Sequence, residues 1–258
     1  MRLTAQAGAI ALAIFGAGFA EAAELRVYST GAPAEAAKAI AADFAAATGN
    51  RLTFTVAQPA ALQGRLAAGD KPDVVILPAS RIAAMNRTGA LRPGSTVELA
   101  RVGIGVVVRD GATAPDISSA AAVRKLLLEA RAVVYPDTRS GGGTAGRAIA
   151  RMIAQMGLTE TVRPKLTLKP AIGGGVALVA DGKADVGFFN ISEILPIKGA
   201  TLVGPLPPEL QTYIVFAAAI LNSSTAAEPA AAFIGNLAAP AERATWQRAG
   251  LEPLGAAP

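Results

Sequence analysis

Gly69-Asp70-Lys71-Pro72-Asp73-Val74-Val75-Ile76-Leu77-Pro78 opens on a turn and ends in an unbroken apolar strand. A strand wetted on one face alternates apolar with polar residues. A continuous apolar run is covered on both faces, as in a parallel sheet between helices. The residues on either side fit that setting. Leu25-Arg26-Val27-Tyr28 is a short strand that stops at Ser29-Thr30-Gly31. A helix is predicted over 33–47, with Pro33 in its first turn, Ile40 and Phe44 on one face, and Thr48-Gly49-Asn50 as its stop. Residues 51–56 alternate as a half-buried strand, and Gln58-Pro59 turns into a helix over 60–68. Another helix, through Ile82 to Arg87, comes after the apolar strand. Strand and helix alternate throughout, which argues for an α/β fold with a parallel sheet flanked by helices.

The pattern then begins again. Residues 97–109 form a longer, Val-rich strand, and a break at Gly111-Ala112-Thr113 and Pro115 comes after it. Helices are predicted over 119–130, 144–156 and 175–180, and strands over 132–135, 165–168 and 185–189. Residues 211–220 form a second long strand, and Ala-rich helices over 226–237 and 240–248 close the chain. Two lobes of this kind, joined by two long strands, imply two crossover strands and a cleft. The expected division is 23–105 with 212–258 for one lobe and 106–211 for the other. No internal sequence repeat is visible.

Composition narrows the chemistry. The chain has 258 residues, 52% hydrophobic and 17% charged, which excludes a disordered protein. It contains no Cys, which removes disulfides, thiol nucleophiles and Cys-based metal sites. It contains no His, which removes Ser-His-Asp catalysis and the usual zinc sites. No close carboxylate pair, Ser-x-x-Lys or Gly-x-Ser-x-Gly is present. The net charge of +5 comes from scattered residues, with no basic run or aromatic-basic stripe, so no nucleic-acid partner is expected.

Residues 1–22 read as an export signal. Arg2 gives the positive start, the stretch from Ala5 to Phe19 is apolar apart from Gln6, and Ala20-Glu21-Ala22 offers a cleavage site. The alternative is a membrane anchor, but an apolar run of about 15 residues falls short of the roughly 20 needed to span a bilayer. Cleavage after Ala22 would release a periplasmic protein, expected to be a monomer, that has no N-terminal cysteine for lipid attachment.

Several passages, taken in order, carry a resemblance: Leu25 to Tyr28 before a long helix, Phe44-Ala45-Ala46-Ala47-Thr48-Gly49, Ala60-Ala61-Leu62, Gly69 to Ile76, Tyr135-Pro136-Asp137, and Gly182-Lys183-Ala184-Asp185-Val186-Gly187. The chain resembles the periplasmic solute-binding proteins of ABC importers, in the molybdate-binding-like branch. The resemblance covers nearly all the mature chain. It implies the two-lobed type II periplasmic-binding-protein fold, each lobe a mostly parallel sheet flanked by helices. It also implies capture of a small anionic or polar solute, no cofactor, and delivery to an ABC permease in the inner membrane. Three positions depart from the molybdate binders. Ala32 stands where they place a hydroxyl, Gln58-Pro59-Ala60 where they have Ser-Ser-Gly, and Asn190 where a tyrosine is usual. A different anion or a small polar organic solute is therefore expected.

In an open α/β sheet, ligands sit beyond the carboxyl ends of the strands. That rule selects Ser29, Thr30, Gly31, Gln58 and Ser80 from the first lobe. From the second it selects Arg139, Ser140, Gly141, Thr144, Gly175, Val176 and Asn190. Ser29 and Thr30 serve either a ligand or a helix cap, and Gln58 either a ligand or solvent. Asp137 to Thr144 combines a Gly run with Arg139, which suits an oxyanion or carboxylate held before a helix. Gly141-x-Gly143-x-x-Gly146 also matches the dinucleotide fingerprint, but no acidic residue ends a strand about 20 residues on. Gly173-Gly174-Gly175 reads as an anion cradle or a hinge-side turn. Trp246 and Phe233 read as core, and Asp43, Asp70 and Asp185 as structural residues. The rival functions are a binding protein that feeds a membrane sensor, an exported enzyme working without His or Cys, and an interaction protein with an unused cleft.

Overall fold

The computed structural model describes residues 22–137, 143–169 and 174–254. The first part of the chain runs β1 (Glu24–Ser29), α1 (Gly31–Thr48), β2 (Arg51–Val56), α2 (Pro59–Ala67), β3 (Val74–Pro78), α3 (Ala79–Arg87) and β4 (Val97–Val102). The middle part runs β5 (Ile104–Arg109), α4 (Ala120–Glu129), β6 (Val133–Tyr135), α5 (Gly143–Gln155), α6 (Thr159–Val162), β7 (Leu166–Leu168), α7 (Gly175–Ala180), β8 (Val186–Asn190), α8 (Ile191–Ile194) and β9 (Ala200–Pro205). The chain closes with β10 (Ile214–Ile220), α9 (Ala227–Leu237), α10 (Arg243–Arg248) and β11 (Glu252–Pro253). Two sheets result, one ordered β11-β4-β10-β3-β1-β2 and the other β7-β6-β8-β5-β9. Among the described residues no helix is long and apolar enough to cross a membrane.

Both faces of β3 are covered, as its apolar run predicts. Val74 and Ile76 point into the core beneath α1 and α9, while Val75 and Leu77 join Leu62 and Ile82 beneath α2 and α3. The helix expected over 33–47 runs from Gly31 to Thr48 and ends at Gly49, which has φ +77° and donates its N–H to Ala45 O at 2.9 Å. Glycine takes that left-handed conformation without the steric cost other residues meet. Ile40 and Phe44 are buried, and the Phe44 ring lies 5.5 Å from that of Phe233. Phe233 and Trp246 are both core residues, as the sequence suggests.

Each sheet has a parallel kernel extended by antiparallel strands. β1 pairs in parallel with β2 and β3, and β6 with β7 and β8. By contrast β10 runs antiparallel to β3 and β4, and β5 antiparallel to β8 and β9. An aspartate just before β3 ties that strand to β1, and another just before β8 holds that strand against the chain entering β6. Asp73 accepts the Arg26 N–H at 2.9 Å and the Ser224 hydroxyl at 2.6 Å. Asp185 accepts the Arg131 N–H at 2.7 Å and the Arg131 guanidinium at 3.0 Å, and that pairing holds its carboxyl below the usual carboxylate range.

The single strand expected over 97–109 is two strands, β4 and β5, which belong to different sheets and part at Gly103. The reason lies in Gln211, on the returning connection between β9 and β10. Its amide accepts the Ile104 N–H at 2.8 Å and donates to Ile104 O at 3.0 Å, imitating a strand partner. A Cβ at residue 103 would stand 3.0 Å from that amide, so a glycine leaves room for it. This use of Gln211 also explains why β10 starts at Ile214 rather than at the expected residue 211.

Gly146 shows how tightly α5 is seated, because a Cβ there would lie 2.3 Å from the Pro136 carbonyl oxygen. Gly146→Ala should destabilise the protein by about 1–3 kcal/mol through overpacking, despite a gain of about 1 kcal/mol in helix propensity. Thermal unfolding would show this as a drop of several degrees.

Candidate functional site

The carboxyl ends of β1, β2, β3 and β8 converge on a cleft between the two sheets. From the first lobe it is lined by Thr30, Gly31, Ala32, Gln58, Pro59 and Pro78, and from the second by Gly143, Thr144, Asn190 and Glu193. Ile214 and Phe216 of β10 complete the lining. The cavity is only about 40 Å³, so the two lobes stand nearly closed on one another at this point. The lobes approach closely here: a Cβ on Gly143, whose φ is +60°, would sit 4.0 Å from Gln58 Oε1.

One side of the cleft offers donors. Thr30 takes an extended conformation at the start of α1, and its N–H is spent on Ile76 O at 3.1 Å. Its hydroxyl makes no capping bond. It is 5% exposed, and Oγ1 has no hydrogen-bond partner. The first-turn N–H groups of a helix have no partner within it and carry the positive end of its dipole, so Gly31 and Ala32 at the start of this 18-residue helix suit an anion. Gln58 stands at the start of α2, also without a capping bond.

The other side offers donors at Gly143 and Thr144, the start of the 13-residue α5, and acceptors at Asn190 and Glu193. The Asn190 amide nitrogen donates to Glu193 Oε2 at 2.8 Å. That bond decides which atom of the amide remains, and Oδ1 is left buried without a partner in a residue 6% exposed. Glu193 stands one turn further on, at the third position of α8. Burial pushes its carboxyl up to about 7, opposed by the hydrogen bonds it receives from Asn190. Among the described lining residues Glu193 alone is ionisable.

The predicted site residues divide accordingly. Thr30, Gly31, Gln58, Thr144 and Asn190 come together in the cleft, and so does Ala32, one of the positions of departure. Ser29 does not line it, because its side chain turns into the core and its hydroxyl donates to Thr30 O at 2.9 Å. Ser80 is exposed on α3, and its place at the end of β3 is taken by Pro78. Gly175 and Val176 are buried behind Phe189, where a Cβ on Gly175 would meet that ring at 2.8 Å. Arg139, Ser140 and Gly141 lie outside the described residues. Sequence reasoning missed Glu193, Ile214 and Phe216. The one available signal was Asn190-x-x-Glu193, the spacing of a helix cap with a reciprocal acidic partner.

A larger groove of about 720 Å³ runs between α2 and α3, lined by Leu66, Leu77, Met85 and Leu221 among others. It is mostly apolar and holds none of the buried unpartnered polar atoms found among the described residues. No group of acidic residues able to hold a metal ion occurs among the described residues.

The family model for bacterial extracellular solute-binding proteins matches residues 25–252. The aconitate isomerase of a Pseudomonas species is 30% identical over 240 residues, covering 91% of this chain and 89% of that protein. The molybdate-binding protein of Rhodobacter capsulatus is 29% identical over 199 residues, covering 77% of this chain and 75% of that protein. The solved periplasmic molybdate-binding protein of Azotobacter vinelandii superposes with a TM-score of 0.71 at 18% identity, covering 88% of this chain and 98% of that one.

Thr30→Val removes a buried hydroxyl that has no partner in the free protein. Stability should therefore hold, or rise by about 1 kcal/mol, since an unsatisfied buried group is lost. A melting temperature several degrees lower would show that the hydroxyl is already paired.

Proposed function

The chain belongs to the bacterial extracellular solute-binding proteins, in the molybdate-binding-like branch with the two-lobed type II fold, and we propose that it captures a small anionic or polar solute in the interlobe cleft and delivers it to an ABC-type permease of the inner membrane. The observation that carries this reading is the pair of buried, unpartnered atoms on two residues that line the cleft, Thr30 Oγ1 and Asn190 Oδ1. A buried polar atom without a partner is costly, and a solute that pairs both atoms removes the penalty on binding. In this proposal residues 1–22 direct export and are removed, and the mature monomer works in the periplasm. Its lobes divide near residues 105 and 211 and close about the two crossings by a hinge motion. Arg139, Ser140 and Gly141 complete the anion contacts from the second lobe.

A thermal-shift screen of the mature chain from Ala23 tests this directly, using oxyanions, carboxylates, amino acids and sugars. A ligand at about 100 times its Kd stabilises by roughly 2.7 kcal/mol, which moves the melting temperature by several degrees. One class of solute should give such a shift, and calorimetry should reproduce it without product formation. A folded protein silent across the panel would overturn the proposal.

One observation favours a second reading, an isomerase. Glu193 sits in the cleft with its carboxyl near neutrality, where a group both accepts and returns protons efficiently, and the aconitate isomerase is 30% identical over most of the chain. As a carboxylate, Glu193 would remove a proton from a CH₂ beside a double bond. It would then return that proton to the far end of the allylic system, so the double bond moves with no net change in protons. Incubation with cis-aconitate, followed by proton NMR, should show the trans isomer if this reading holds, and Glu193→Gln should lower the rate by at least about 100-fold. Unchanged substrate alongside measurable binding would leave the transport reading alone.

A further inference from the structure

We propose that Asn190 and Glu193 make the cleft select an oxyanion that carries its own O–H, a hydroxy-carboxylate or a hydrogen-bearing inorganic oxyanion, over anions without a hydrogen-bond donor. The inference rests on the reading of the cleft as a solute site and names the class of solute it takes.

Hydrogen-bond direction sets the preference. Asn190 Nδ2 is committed to Glu193 Oε2 at 2.8 Å, so Oδ1 is the atom left over. A carbonyl oxygen accepts and does not donate. An ionised Glu193 likewise only accepts. Asn190 and Glu193 therefore present acceptors to the cleft, while Thr30 and the starts of α1 and α5 present donors. A fully ionised anion satisfies the donors but sets its lone pairs against Asn190 Oδ1 and the Glu193 carboxylate. An anion with an O–H satisfies both sets of groups at once. A site whose buried polar groups are built for a hydroxyl rejects the analogue lacking it, because those groups are then left unpaired.

Glu193 supplies the missing proton when it is itself protonated, so selection should weaken as pH falls. Among the described residues no other charge competes for that role. α8 packs against α1, β5, β8 and β9. Of these, β8 and β9 carry no ionisable side chain, and β5 carries Arg109, exposed at its far end. α1 carries Glu35 and Lys38, paired at the surface at 3.2 Å, and the exposed Asp43. The loop after α10 also abuts α8 at Gly250, and Arg248 beside it is exposed. None of these contributes to the shift at Glu193, which comes from burial opposed by Asn190.

The test is calorimetry on the mature chain with matched pairs: phosphate against sulfate, malate against succinate, and citrate against tricarballylate. Titrations are run at pH 8 and pH 6. At pH 8 the O–H member of the pair that binds should be favoured at least about tenfold, since each mismatched hydrogen bond left buried is worth at least that factor. Which pair binds distinguishes an inorganic oxyanion from a hydroxy acid. With Glu193 titrating near 7, the preference for the O–H member over its partner should fall by up to about tenfold from pH 8 to pH 6. Glu193→Gln should make the preference small and independent of pH, because a neutral amide at that position lets Asn190 turn its NH₂ toward the solute. Equal affinity within a pair at pH 8, unchanged at pH 6, would overturn this inference and leave the proposed function standing. No binding by any member at either pH would overturn this inference, while the proposed function stands or falls on the wider panel of amino acids and sugars as well. The wild-type pH comparison decides the matter even if the variant fails to fold.

Discussion

The chain passes between its sheets twice, and the side chain of one glutamine ties the two passages together at the crossing. The Gln211 amide pairs with both the N–H and the C=O of Ile104, as a neighbouring strand would. Its nitrogen also reaches Leu206 O at 3.4 Å. Without it the Ile104 N–H would be left for water to satisfy at the point where the sheets separate, whereas the Ile104 carbonyl also accepts the Leu206 N–H at 3.0 Å. Because the bond is made by a side chain, β4 and β5 escape a continuous ladder and are free to join different sheets. The position of Gly103 follows, and so does that of β10, whose Ile214 and Phe216 join Ala32, Pro59 and Pro78 in the apolar lining of the cleft.

The face each lobe presents to the other is set by strand direction. In both kernels the aspartates, Asp73 and Asp185, secure one end of the inner strands by accepting backbone N–H groups. The opposite ends then open toward the cleft, where the chain leaves β1 at Thr30 and β8 at Asn190. An 18-residue helix starts at the first of these points and only a four-residue helix at the second. The two ends therefore differ in chemistry: a long helix projects a positive dipole end and free N–H groups, whereas Asn190 and Glu193 project acceptors. The start of α5 at Gly143 and Thr144 adds donors from the second lobe, so acceptors at Asn190 and Glu193 are met by donors from two helices, which orients an occupant as well as holding it.

The strand-helix alternation, the burial of β3, the ends of α1 and the core roles of Phe233 and Trp246 were legible because they depend on neighbours a few residues away. The rule that ligands lie beyond strand carboxyl ends brought Thr30, Gly31, Gln58, Thr144 and Asn190 to one place. It missed by a single residue at Ser29 and by two at Ser80, where the alternation of side chains across a strand and the length of β3 decide which residue faces out. Glu193 stayed hidden for another reason. In sequence it is an ordinary acid in a helix cap, and its raised carboxyl pKa comes from packing by elements distant along the chain.

Composition and short-range periodicity suffice for the α/β pattern, the doubling of the lobes and the exclusion of His and Cys chemistry. Long-range packing was needed to break the strand over 97–109, to set Gln58 against Gly143, and to leave Asn190 Oδ1 and Thr30 Oγ1 unpaired. The difference is one of range. Periodicity is written in neighbouring residues, whereas a hydrogen bond between residues 104 and 211 depends on the register and twist of everything folded between them.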